Sequence, residues 1–115
     1  MNAPYVTAIN TADQAVELLT GARAQSYGDP LAEFERIGRM WAGLLDLDDI
    51  APHTVAAMMM VLKLVRGQQS PEHTDNWVDA VAYGLIAADV VARTVDGVPL
   101  DRVARLATAA PVRLS

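Results

Sequence analysis

The chain has 115 residues, 52% of them apolar, no cysteine and a formal net charge of −5. That length allows one domain around a single core. The missing cysteines exclude a disulfide framework, a thiolate metal site and a cysteine nucleophile. No run of about 18 apolar residues marks a membrane span, and an acidic chain without a basic stripe repels a phosphodiester backbone. Neither a membrane nor double-stranded nucleic acid is therefore an expected partner. The charge is uneven: up to Ala51 three arginines face eight carboxylates, whereas from Pro52 onward six basic residues meet six acidic ones.

Residues 1–10 show no helical period, no basic start and no apolar core, so a flexible arm is expected there rather than a secretory signal. A cytoplasmic protein is the corresponding expectation. Thr11-Ala12-Asp13-Gln14 fits a capping box. Ala15, Leu18, Leu19 and Ala22 then trace an apolar stripe, and the pattern predicts a first helix over residues 12–26 that stops near Gly28. Asp29 can cap the next helix, with Pro30 at its first position. Leu31, Phe34, Ile37, Gly38, Met40, Trp41, Leu44 and Leu45 cover one side of this second helix, and Glu33, Glu35, Arg36 and Arg39 the other.

After an acidic loop, Pro52 marks a third helix that is apolar all round until Lys63 and is expected to stop at Gly67. Such a helix is either the central one or faces a second copy of the protein. The adaptable Met58-Met59-Met60 run suits a shared core. A polar loop containing Ser70-Pro71 leads to a fourth helix over residues 75–95, which Asp96-Gly97 breaks. Residues 100–109 are amphipathic enough for a fifth, short helix. The predicted architecture is all-α: an antiparallel four-helix bundle over residues 11–96, then a short extra helix and a frayed tail over 97–115.

Chemistry concentrates at one end of the third and fourth helices. Lys63 and Arg66 lie three residues apart and share a face, while Asp75, Asp79 and Tyr83 stack at intervals of four. In an antiparallel hairpin these groups meet at a common end. Carboxylates on a helix made for burial need a partner. Two readings stay open: Lys63 or Arg66 neutralises Asp79 as a structural buried pair, or the four charges form an open polar site that grips a phosphate or a hydrated magnesium ion. For a metal, Asp75 and Asp79 are the candidate ligands, with Glu72 a turn earlier. Ordinary acidic capping of a helix N-terminus explains the same residues. Tyr27, beside the Gly28-Asp29 turn, and Tyr83 are candidates to stack on a base or sugar. Trp41 and Trp77 fall at core positions. His53 and His73 are assigned no role. Neither a Ser/His/Asp set nor a Gly-rich phosphate loop is present.

The order Tyr27-Gly28-Asp29-Pro30, Phe34, Ile37, Trp41, Met58-Met59-Met60, Lys63, Arg66, Asp75-Asn76-Trp77-Val78-Asp79, Tyr83 resembles a small uncharacterised family common in phages and prophages. The resemblance spans residues 24–88. One departure is Glu33 before Phe34, where that family usually has Asn. More distantly, the fourth helix is similar to the second motif of the MazG-like all-α nucleoside triphosphate pyrophosphohydrolases, with Asp79 and Tyr83 matching its Asp and aromatic and Asn76 in place of its Glu. Those magnesium-dependent enzymes carry a Glu-x-x-Glu on the preceding helix, where residues 58–61 here offer no carboxylate. The combined resemblance implies a bundle that binds a nucleotide or phosphorylated metabolite rather than one that cleaves it. Lys63 and Arg66 would hold phosphate, while Asp75 and Asp79 would orient them. In that reading the protein is a homo-oligomer that sequesters a signalling nucleotide. The alternatives are a magnesium-dependent pyrophosphohydrolase and a protein–protein interaction module.

Overall fold

A computed structural model describes residues 3–21 and 28–94. They form an all-α bundle of four helices, α1 (Val6–Thr20), α2 (Pro30–Leu45), α3 (Pro52–Gln69) and α4 (Thr74–Thr94). Tyr27, the expected end of the first helix and the expected short C-terminal helix lie outside the described residues.

Helix α2 forms where its local signals place it. The Leu31 N–H donates to Asp29 Oδ1 at 3.1 Å, and Pro30 takes the first helical position, where its missing N–H costs nothing. Gly28, at φ 74, sits in the left-handed region that favours glycine and turns the chain into this cap. Phe34, Gly38 and Ala42 are buried along one stripe, with Ile37 and Trp41 half-buried beside them. Met40, Leu44 and Leu45, expected on the same covered side, are exposed. The buried stripe is narrower than the apolar one.

Helix α1 corrects the expected arm. It begins at Val6, so residues 6–10 are helical, and Thr11 lies inside the helix rather than at its cap. Its hydroxyl donates to the Thr7 carbonyl at 2.8 Å, which satisfies the group without ending the helix. No glycine or proline stands between Pro4 and Thr11 to break the earlier turn.

Helix α3 continues through Gly67, the expected stop, to Gln69. Gly67 is there because the Trp77 indole rests on it: a Cβ would lie 2.8 Å from the ring's Cη2. The Trp77 Nε1–H donates to the Pro71 carbonyl at 2.9 Å and fixes the ring over the α3–α4 turn. The central position expected as one option for α3 belongs to α4, which packs against the other three helices. Two apolar clusters result. Phe34, Ala42, Ile50, Val55 and Ala56 form one between α2 and α3, and Ala15, Val78 and Ala82 form the other between α1 and α4. Tyr83 and Ile86 of α4 pack against the first cluster, Leu18 of α1 against the second, and a cleft opens between them.

Candidate functional site

The short α3–α4 turn makes a helical hairpin, so the end of α3 and the start of α4 lie side by side. Lys63 Nζ meets Asp79 Oδ2 at 2.8 Å, with side chains 17% and 26% exposed. The pair is thus sheltered without being sealed, and among the described residues no charged side chain is fully buried. Of the two readings the sequence left open, the neutralising pair is present as Lys63–Asp79, but it is not fully buried: solvent still reaches both groups.

The Lys63–Asp79 bridge is a partition. On one side lies a cleft of ≈ 300 Å³ whose walls are Leu18 of α1, Glu33 and Phe34 of α2, and Tyr83 and Ile86 of α4. The Phe34 and Tyr83 rings stack with centroids 6.3 Å apart. On the other side lies a wider polar groove of ≈ 490 Å³, lined by Arg66, Ser70, His73, Asp75 and Asn76. Lys63 and Asp79 line both. Of the predicted site residues, Lys63, Arg66, Asp75 and Asp79 converge on the groove, Tyr83 faces the cleft, and Tyr27 is outside the described residues.

These side chains do not suit a divalent cation. The Asp79 carboxylate is already on an ammonium, Arg66 lines the same groove, and Asp75 is 79% exposed beside His73, 3.9 Å away. Among the described residues no three His, Asp or Glu side chains gather as metal ligands.

Sequence reasoning missed Glu33, placed on the outer side of α2, and Leu18, read only as core; both line the cleft. The one sequence signal at Glu33 was its departure from an otherwise matching motif. A second ion cluster was also missed. Arg93, in the last turn of α4, grips Asp29 with both terminal guanidinium nitrogens, Nη1 donating to Oδ1 at 2.7 Å, and Nη1 also lies 3.3 Å from Asp89. Asp29 therefore caps α2 and ties it to α4. Its neighbours Gly28 and Pro30 line the cleft, so the clasp holds one of the cleft's walls. The hydrogen bonds from Arg93, and secondarily the Leu31 N–H, hold the Asp29 carboxyl below its ordinary value despite partial burial, and the same contact raises the Arg93 guanidinium.

Residues 10–91 match the family described as Domain of unknown function (DUF6378). The chain belongs to this family. DUF6378 thus covers all of α2 and α3 and every described residue that lines the cleft and the groove. The chain is 38% identical over 69 residues to the Gene 55 protein of Mycobacterium phage L5, covering 60% of this chain and 44% of that protein. It is 28% identical over 87 residues to the Gene 55 protein of Mycobacterium phage D29, covering 76% and 57% respectively. The chain thus spans about half the length of these phage relatives. No solved structure matches. Among the described residues, no helix is long and apolar enough to cross a membrane.

Proposed function

We propose that this chain binds a small phosphorylated ligand of the nucleotide type without cleaving it. The observation that carries this is the Lys63–Asp79 pair shared by a cleft with aromatic walls and a polar groove that also holds Arg66. A nucleotide has the same two halves. Its base suits Phe34, Tyr83 and Ile86; its phosphate suits Lys63 and Arg66. Asp79 orients Lys63, and Asp75, on the groove's rim, accepts hydrogen bonds from ligand hydroxyls. The phage origin of the two Gene 55 relatives fits a protein that sequesters a signalling nucleotide of a bacterial host.

Thermal shift of the purified chain against a nucleotide panel, cyclic dinucleotides included, tests this directly. A ligand that binds only the folded form adds about 2.7 kcal/mol of stability at a hundredfold excess over its Kd. A clear rise in Tm that Lys63→Ala abolishes is expected, and silence across the panel would remove the proposal. Magnesium-dependent pyrophosphate release, lost in Asp79→Ala, would replace binding by hydrolysis.

A homo-oligomer is favoured by a separate observation. Met58, Val61, Leu62 and Val65 repeat at helical spacing along α3 and are 39%, 58%, 40% and 52% exposed. A second copy would cover this uncharged stripe. Light scattering that gives the monomer mass would remove this part of the proposal.

A further inference from the structure

We infer that the base this cleft selects is guanine, recognised by the Glu33 carboxylate. The inference rests on the nucleotide-binding proposal and adds the choice of base. Within the cleft the apolar and aromatic side chains of α1, α2 and α4 stand beside Lys63 and two carboxylates, Glu33 and Asp79. Asp79 is engaged by Lys63. Glu33 comes from the first turn of α2, one residue before Phe34, and is exposed to solvent.

An ionised carboxylate accepts hydrogen bonds and donates none. A base set against Leu18, Phe34 and Ile86 must therefore turn a donor edge toward Glu33. Guanine has one: its N1–H and N2–H₂ groups point the same way, spaced for the two oxygens of a carboxylate in the parallel geometry an arginine fork also uses. Adenine sets the bare N1 acceptor beside its amino group, and cytosine does the same with N3, so each leaves acceptor against acceptor. Uracil has a single N–H between two carbonyls. Each mismatch sets an acceptor of the base against a carboxylate oxygen with no hydrogen between them, which disfavours that base relative to guanine even though solvent reaches Glu33. An acid in a helix's first turn also has an ordinary electrostatic explanation, which predicts no dependence on the base.

Isothermal titration of the full chain with GMP, IMP and AMP, on the wild type and on Glu33→Gln, separates the outcomes. GMP is expected to bind about ten- to a hundredfold tighter than AMP, with IMP, which lacks the N2 amine, between them. Glu33→Gln should weaken GMP and strengthen AMP, since the amide can donate to adenine N1 and accept from its amino group, with the circular-dichroism melt confirming the fold. GMP and AMP binding equally to the wild type, or a GMP preference that survives Glu33→Gln, would overturn the choice of base while leaving nucleotide binding in place. No binding of any of the three, with the wider panel silent as well, would remove both.

Discussion

Asp29 caps helix α2 and grips Arg93 with the same carboxylate, so the start of α2 and the end of α4 share one anchor. The consequence is a specific pH dependence. Because the folded-state pKa of Asp29 lies below its ordinary 3.8, the contact contributes stability above that value and loses it as pH falls through the lowered one. With Asp29 43% and Arg93 29% exposed, solvent screens the pair, and about 0.2–1 kcal/mol is the expected size. Asp29→Asn isolates it, since asparagine caps as well as aspartate. Denaturant melts should show the variant less stable at neutral pH and equal to the wild type in strong acid. A difference that persists unchanged into acid would mean that the charge contributes nothing.

Glycines decide how closely two of the helical segments approach. At Gly38 an added Cβ would sit 2.1 Å from the Ile50 carbonyl oxygen, so the α2–α3 loop lies directly on the helix. At Gly67 the obstacle is the Trp77 ring, a side chain, although its hydrogen bond to Pro71 limits its escape. Alanine in a helix is favoured over glycine by about 1 kcal/mol, while overpacking costs about 1–3 kcal/mol and more where backbone must move. Both Gly38→Ala and Gly67→Ala should therefore destabilise, Gly38→Ala the more, as read from urea midpoints. A stabilised Gly67→Ala would show that the ring swings aside. Periodicity placed Gly38 on the buried stripe and misread Gly67 as a helix stop. Both are helix-interior glycines, and what distinguishes their use is the neighbour above each one, which belongs to another segment of chain.

The fold as a whole buries few large side chains: among the described residues, the largest that are fully enclosed are Val55 and Val90. A core of that kind leaves a small domain with a narrow margin of stability, and the exposed stripe on α3 is where association would add to it. If two copies pair there, unfolding is coupled to dissociation, and Tm should rise with protein concentration. Val61→Glu would then lower Tm and remove the concentration dependence. A Tm independent of concentration would make the stripe a solvent-facing surface and the chain a monomer.

Capping, proline position and apolar period act within a few residues of each other, and from them follow the all-α class, the course of α2 and most of α3 and α4. The meeting of Lys63 with Asp79 follows as well, because a short turn between antiparallel helices leaves their facing ends nowhere else to go. Nothing local marks the Asp29–Arg93 clasp, whose partners are 64 residues apart, nor the placing of Glu33 and Leu18 around one cleft. Those depend on α4 occupying the centre and on the face it turns to each neighbour. That choice is made by the packing of all four helices together, and no single stretch of chain contains it.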